Sequence, residues 1–592
     1  MGQKPKKQST ANKAKPNNAA KGKSNGSRKS AKAQTAKKPV SQNKEVKTIY
    51  TAERNSKVEY IVVNIISLFV FLAFGYITIM SFLQTSVIDP AAYSSEKVLY
   101  QNDIVILNLL FTAIFFAVAF AFRKTYNFFS KINIRFFEIG IAVWVVLLGF
   151  VWIFSVTSIP AADSQNIFEA ATKAAKNDYT PFIDGLKFYN KDFYQGYSYF
   201  NFYPFQLGFV LLSEIVYRIF GTTSSMSMQV INVLSLASAY FALARMSRLV
   251  FKRRSIEFFT IVLLAACFQP ILLCTFVYGN IIGMSLGIWA CLLLVKYFQT
   301  GKYRWMAPCA ALLVLSILAK YNNMIYLAAI AIMLVVHTIK QKRWQSIAFA
   351  LALCIAAVGS VNLVIASYKS RSHADLADGL SQVQYLDMGL TDSYMAPGWY
   401  TRTGLDTYLE ANLDNKTADQ KSWRNIDGKL DKMGRDMGYT FDFFSKKILS
   451  QWNEPEFESI WVSKVKGHTN SEAATKGLGK AVYDGSLGQA LELHFNLYMQ
   501  VLYLLFAVGI YLMFINKKTN IETVLLPLVA LGGFGYHLLF EGKSQYVLTY
   551  IPLLIPVAAY SLNTILEGDY SKVKAVIAKI NKKVEHKKPA KK

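Results

Sequence analysis

Residues 157–175, TSIPAADSQNIFEAATKAA, leave an apolar run (136–157), pass Pro160, and present Asp163 just beyond it before a helical pattern begins. The run that precedes them is long enough to cross a lipid bilayer. An acid placed this close to a membrane interface either caps the helix that follows or takes part in chemistry there.

The rest of the chain decides how that stretch sits. It has 592 residues, 53% hydrophobic and only 17% charged, whereas soluble domains carry nearer a quarter of charged residues. An ordinary soluble enzyme is therefore excluded. Spans of about 20 apolar residues are expected at 58–84, 103–122, 136–157, 227–249, 257–275, 281–298, 305–319, 322–339, 346–367, 493–514, 522–540 and 547–566. The fold class that follows is an all-α polytopic membrane protein with about twelve transmembrane helices. Cys267, Cys274, Cys291, Cys309 and Cys354 all fall inside apolar runs, which suits packing residues and suggests neither a disulfide framework nor a thiolate metal site.

Charge orients the spans. Residues 1–57 hold 16 Lys/Arg against Glu45 and Glu53, and residues 567–592 hold 9 Lys against three acids, so the tails supply most of the net +28. With both tails on the cytoplasmic side, the basic loops at 123–135, 245–254, 296–304, 340–343 and 517–518 all face inward, as the positive-inside rule requires. The tails are expected to contact anionic inner-leaflet lipid, not nucleic acid. The first is polar enough to be disordered. In the second, Val573, Val576, Ile577, Ile580 and Val584 space an amphipathic helix.

Residues 203–220, YPFQLGFVLLSEIVYRIF, are apolar but contain Glu214 and Arg218. Counted as a crossing, they would invert everything downstream and turn Arg245–Arg254 outward. They are expected to lie on the outer leaflet, a short ordinary span being the alternative. The predicted organisation is a disordered cytoplasmic tail (1–57), a transmembrane hairpin (58–135), a transmembrane core (136–367) with a first outer loop (158–226), a large extracytoplasmic loop (368–491), C-terminal spans (492–566) and a basic tail (567–592). No repeat of 20 to 50 residues is visible.

Several outward-facing groups are candidates for chemistry. Asp163 is the candidate general base toward a hydroxyl acceptor. Lys320, in LAKYNN, either pairs with a phosphate where water is scarce or snorkels to headgroups, with Asn322 beside it. EGKSQY, residues 541–546, offers Glu541, Lys543, Gln545 and Tyr546 between the last two spans; an ordinary polar turn is the alternative. In the large loop, Trp399, Tyr400 and Trp452 are candidate sugar platforms, with Asp387 and Glu454 as acceptors for sugar hydroxyls. Aromatics packing a loop subdomain would look the same.

PAADSQNIFEAA (160–171), YSYFNFYPFQLGFVLLSEIVYRIFG (197–221), VYGN (277–280), LAKYNN (318–323) and FEGKSQYVLTYIPLL (540–554) occur in this order. The pattern resembles the GT-C integral-membrane glycosyltransferases, specifically Gram-positive relatives of the polyprenyl-phosphate-mannose mannosyltransferases, over roughly residues 136–566. The resemblance implies a GT-C-like bundle with outer-face membrane-parallel helices. It also implies a sugar donor carried on polyprenyl phosphate, reaction on the outer face of the plasma membrane, and inversion by direct displacement. Asp163 takes the position of the family's first-loop acid, and 541–546 that of a substrate-pocket segment, with Tyr203 in the groove. The acceptor implied is an extracytoplasmic glycan or other cell-envelope molecule. Two departures stand out: Ser164 follows where the mannosyltransferase branch often has Glu, and two spans precede residue 136.

No cofactor is expected. His337, His373, His468 and His494 lack metal-ligand spacing, and no acidic cluster suits a divalent ion. Without a Walker-type or Gly-rich phosphate loop, a nucleotide-sugar donor is not expected. A polysaccharide polymerase or ligase, which would use outer Arg and His such as Arg371, His373 and Arg402, is the alternative enzyme. A lipid-linked sugar flippase would want ionisable groups in mid-membrane, and the spans are nearly free of them.

Overall fold

The computed structural model of the protein describes residues 42–184, 192–465 and 476–568. The predicted amphipathic helix around 573–584 and residues 1–41 of the basic N-terminal tail lie outside the described residues, while 42–57, expected to be disordered, form the first part of helix Gln42–Leu83. Contacts divide the chain into two units, 1–52 and 53–592, and the second holds everything described below.

Among the described residues, ten helices are long and apolar enough to cross a membrane: Lys57–Leu83, Val105–Arg123, Ile134–Val156, Ser225–Phe251, Asn280–Thr300, Tyr321–Gln341, Gln345–Ser372, Ser486–Ile515, Ile521–Leu539 and Ser544–Glu567. The protein is thus an all-α polytopic membrane protein, and two of the twelve expected spans differ in form from a single long helix. The expected span 257–275 is a pair of helices, Arg254–Ala265 and Gln269–Thr275, bent by 50°. Pro270, in the first turn of the second helix, has no N–H with which to carry an unbroken helix through the bend. The expected span 305–319 belongs to the shorter apolar helix Tyr303–Ala319. At 1.5 Å per residue it reaches about 26 Å, at the short end of the transmembrane range, and it returns along Asn280–Thr300, so that Lys320 at its end lies 3.8 Å from the ring centroid of Tyr278, just before that helix.

Local chemistry sets the helix ends. Asn133, Ser224 and Asn520 each accept a backbone N–H at the start of a span, and Gly221, Gly301 and Gly568 end helices in the left-handed conformation that glycine adopts without a Cβ penalty. Ser544–Glu567 is central, with 94% of its apolar window buried, whereas Val105–Arg123 has 6% buried and lies at the periphery. At the basic end of the bundle, acids on neighbouring helices meet the cluster that the sequence places inside. Glu138 pairs with Arg245 at 3.0 Å, Glu257 with Arg248 at 3.1 Å, and Glu59 with Lys340 at 2.8 Å.

The segment 203–220 forms helix Leu207–Phe220 after a short 3-10 turn. Its 14 residues span about 21 Å, too little to cross. Glu214 is buried and receives Arg218 at 3.0 Å, Arg371 at 2.8 Å and the Tyr368 hydroxyl, so its charge is paired inside the fold.

The large loop folds into short helices, among them Gln382–Gly389, Thr403–Glu410, Asn415–Arg435, Met437–Trp452 and Ser459–Lys464. It has a small core of its own from Leu390, Ile426, Met433 and Phe443. Between the first two spans, strands Gln84–Ile88 and Val98–Asn102 pair antiparallel, Gln84 opposite Asn102 and Ile88 opposite Val98. The hairpin docks on the large loop through Ser86 N–H to Asn453 O (2.9 Å) and Val98 N–H to Met395 O (2.9 Å). Hydropathy alone does not announce this element.

Candidate active site

Asp163 owes its place to the backbone just before it. Helix Ile134–Val156 ends at Thr157 with φ +44, and the chain then turns sharply at Ala162, where φ is +52 and ψ is −132. Ala162 takes the cap position and Asp163 is the first residue of helix Asp163–Ala174, at the positive end of its dipole, where an anionic side chain is favoured. Ser164 Oγ donates to Ala161 O at 2.7 Å and fastens the turn. The Tyr278 hydroxyl donates a long hydrogen bond, 3.5 Å, to Asp163 Oδ2 and accepts one from Gln206 Nε2 at 2.7 Å.

Lys320 sits at the extended residue, φ −150 and ψ 112, between helix Met306–Ala319 and the turn Tyr321–Asn323. Two glycines let neighbouring segments approach this break. A Cβ on Gly208 would fall 2.4 Å from Leu318 O, and one on Gly279, at φ +81, would fall 1.9 Å from Ala319 O. The approach brings the VYGN turn beside Lys320, whose ammonium lies 3.8 Å from the Tyr278 ring centroid and 5.4 Å from that of Tyr546. Such cation–π contacts strengthen when desolvated.

The turn at 540–546 is stitched to the large loop. Glu541 N–H bonds Tyr385 O, Gly542 N–H bonds Gly398 O, both at 3.1 Å, and buried Lys447 donates to Gly389 O (2.5 Å) and Phe540 O (3.0 Å). Lys543 is buried, 5.5 Å from the Trp399 ring centroid, and ion-paired with Glu96 of the N-terminal hairpin. Burial pulls its ammonium downward, while the carboxylate upon it favours the charged form.

These segments enclose a cavity of about 330 Å3. Asp163, Tyr203, Lys320, Asn322, Tyr400, Glu541, Lys543, Gln545 and Tyr546, all named from sequence, line it together. Glu96, Tyr194, Tyr278, Gln382, Tyr385 and Tyr536 complete much of the wall. Burial first, and then the charge of Asp163 among others, hold the phenols of Tyr194, Tyr203, Tyr278, Tyr385 and Tyr400 well above the ordinary value. They stay protonated, so their hydroxyls remain hydrogen-bond donors. The wall thus offers carboxylates, ammonium groups, phenols and flat aromatic faces in one enclosure.

Four expected substrate contacts do not line the cavity. Asp387 is buried in the large loop, ion-paired with Lys429 and accepting from Asn425 Nδ2 at 3.1 Å. Trp399 is fully buried against Val98 and Ala396, its Nε1 donating to Ser450 Oγ at 2.9 Å. Trp452 packs among Phe74, Phe534 and Tyr550. Glu454 accepts the backbone N–H groups of Glu456 (3.0 Å) and Glu458 (2.9 Å), with burial and Glu456 raising its carboxyl. The physical reason is that these side chains are already used: Asp387 and Glu454 bond within the large loop, Trp399 packs between it and the hairpin, and Trp452 seats it on the spans.

Among the lining residues that the sequence reading missed, Glu96 is the charged one. Nothing in the sequence sets it apart, since it is one of three acids, with Asp89 and Asp103, in the short loop between the first two spans. Among the described residues, no group of three or more His, Cys, Asp or Glu is placed to hold a metal ion.

The model of the conserved hypothetical integral membrane protein family matches residues 56–566. The chain belongs to that family. The match starts just before the first span and ends with the last, so the N-terminal hairpin that carries Glu96 lies within it. A search of curated proteins gives no sequence match. Among solved structures the chain is similar to the archaeal oligosaccharyltransferase AglB from Archaeoglobus fulgidus, in complex with an inhibitory peptide and a dolichol-phosphate, with 14% identity and a TM-score of 0.39 over 77% of this chain. It spans about half, 52%, of that protein's length. ArnT from Cupriavidus metallidurans, bound to undecaprenyl phosphate, is 14% identical, with a TM-score of 0.30 over 71% of this chain and 77% of that one. The arabinosyltransferase EmbB from Mycobacterium smegmatis is 11% identical, with a TM-score of 0.30 over 73% of this chain and 40% of that one.

Proposed function

We propose that this protein is a GT-C-type membrane glycosyltransferase that moves a sugar from a polyprenyl-phosphate-linked donor to an extracytoplasmic cell-envelope acceptor. The observation that carries the proposal is the meeting of Asp163, Lys320 and Lys543 in one tyrosine-walled cavity. In this mechanism the Asp163 carboxylate accepts the proton of an acceptor hydroxyl, whose oxygen attacks the anomeric carbon. The bond from that carbon to the phosphate oxygen breaks, and the leaving lipid phosphate gains a negative charge. Lys320 and Lys543, held in place before reaction, stabilise that charge in a site poor in water. Glu541, Asn322, Gln545, Tyr203, Tyr400 and Tyr546 supply hydrogen bonds and aromatic faces to the sugar and phosphate. With the basic loops cytoplasmic, the cavity opens on the outer face. No step requires a metal or cofactor.

Sugar transfer or donor hydrolysis by purified protein, assayed over a panel of synthetic polyprenyl-phosphate sugars with and without EDTA, tests this. Turnover that survives EDTA and falls about a hundred-fold or more in Asp163→Asn is the expected result. An unaffected mutant would move the base elsewhere, with Glu541 next. No turnover across a broad donor and acceptor panel would overturn the donor class.

A further inference from the structure

We propose that Glu96 occupies Lys543 in place of the donor phosphate and is displaced when that phosphate binds, making the 84–102 hairpin a donor-responsive wall of the cavity. The inference rests on the donor class proposed above and adds an element to it.

Three observations carry it. First, the Glu96 carboxylate lies on the Lys543 ammonium, with side chains only 7% and 6% exposed, and both line the cavity that holds Asp163. Carboxylate and phosphate oxygens are alternative partners for the same ammonium, each through charge-assisted hydrogen bonds. Second, the formal charges on the wall do not suit simultaneous occupancy. Glu96, Asp163 and Glu541 face Lys320 and Lys543 across one enclosure. A phosphodiester entering beside all three acids would add a further negative charge where little water screens it. Removing Glu96 from Lys543 as the phosphate arrives leaves the net charge unchanged.

Third, Glu96 is delivered by a backbone that does not favour its position. Its φ is +58, a left-handed conformation that is uncommon for residues other than glycine and that persists where surrounding contacts impose it. The strands behind it are anchored to the large loop by Ser86 and Val98 and by the Tyr100 hydroxyl on Lys446 O at 3.1 Å. The link between the strands is what reaches the cavity. Release of Glu96 from Lys543 therefore lets that link relax while the strands stay docked. Until a phosphate arrives, the carboxylate also denies Lys543 to weaker anions.

Binding of undecaprenyl phosphate to the full chain in nanodiscs, followed by native mass spectrometry, tests this without a turnover assay. The variants are Glu96→Gln, Lys543→Gln and the double variant. Glu96→Gln is expected to tighten binding by about fivefold or more, because the carboxylate that competes with the phosphate for Lys543 is removed, and Lys543→Gln to weaken it. In the Lys543→Gln background, adding Glu96→Gln is expected to change affinity by less than about twofold, the non-additivity of residues acting through one contact. Glu96→Ala should behave as Glu96→Gln does. Weaker binding in both Glu96 variants would assign Glu96 to holding Lys543 in position and overturn the displacement. Tightening that persists undiminished without Lys543 would overturn it too, as a general charge effect. Wild type that binds without any tightening in the Glu96 variants would sink this inference alone. Wild type that binds no polyprenyl phosphate would sink the donor class and this inference with it.

Discussion

Ala162 holds φ +52 and ψ −132 immediately before the proposed base. Backbone of this kind costs of order 1–3 kcal/mol in a residue with a Cβ and is tolerated where the surroundings impose it. It turns the chain so that Asp163 starts a helix and points its carboxylate among the tyrosines. A β-branched side chain is a genuine outlier at positive φ. Ala162→Val is therefore expected to lose about 1 kcal/mol or more of stability and most of the transfer activity, while Ala162→Gly keeps activity. Thermal melting and transfer assays of the two variants side by side check this; equal activity in both would show that the turn does not position Asp163.

Two connections between elements matter most for the site. The first is the close approach of the 277–280 turn to the end of helix Met306–Ala319. Any Cβ at Gly279 collides with the Ala319 carbonyl, and the positive φ there adds strain. Gly279→Ala should thus raise the KM for donor, by displacing Lys320, and lower the melting temperature; an unchanged KM would detach Lys320 from donor binding. The second is Lys447, which ties helix Met437–Trp452 to the carbonyls of Gly389 and Phe540. Burial pushes its ammonium down to about 7 from an ordinary 10.5, opposed by Glu541. Between those values the unfolded chain holds the proton and the folded chain does not, so stability rises with pH across the window. The cost of burying the charge is full below about pH 7 and disappears toward pH 10.5. Melting curves from pH 7 to 10 should rise more steeply for wild type than for Lys447→Met. Equal slopes would mean that Lys447 keeps its proton in the folded protein.

Over the whole molecule, the positive-inside rule leads us to expect the basic loops and the large loop on opposite sides of the membrane. Lys416, exposed in helix Asn415–Arg435, and Lys342, exposed at the end of helix Met324–Gln341, report the two sides. In intact cells, Lys416→Cys is expected to react with a membrane-impermeant maleimide and Lys342→Cys to remain unlabelled until the cells are opened. Background should be low, because four of the five native cysteines are buried and Cys354 is half-buried within a span. The reverse pattern would invert the topology and move the cavity to the cytoplasmic side.

What the sequence determined by itself was the membrane class, most of the spans, and the segments that carry Asp163, Lys320 and 541–546. Bilayer thickness imposes run lengths that hydropathy reads directly, and charges are costly enough in lipid that those near span ends stand out. Bent and shortened helices escaped that reading, since apolar composition does not show where within a run the helix breaks or how long it is. Only the tertiary structure decided which polar groups share the cavity. Trp399, Trp452, Asp387 and Glu454 have the composition of a sugar site but are used to hold the large loop together and to seat it on the hairpin and the spans. Glu96, remote in sequence from every other lining residue, reaches Lys543 because a hairpin docks across 447 positions of chain. Apolar burial is non-directional and can be read locally, whereas the pairing of buried charges depends on which segments meet, and that is set only when the spans pack.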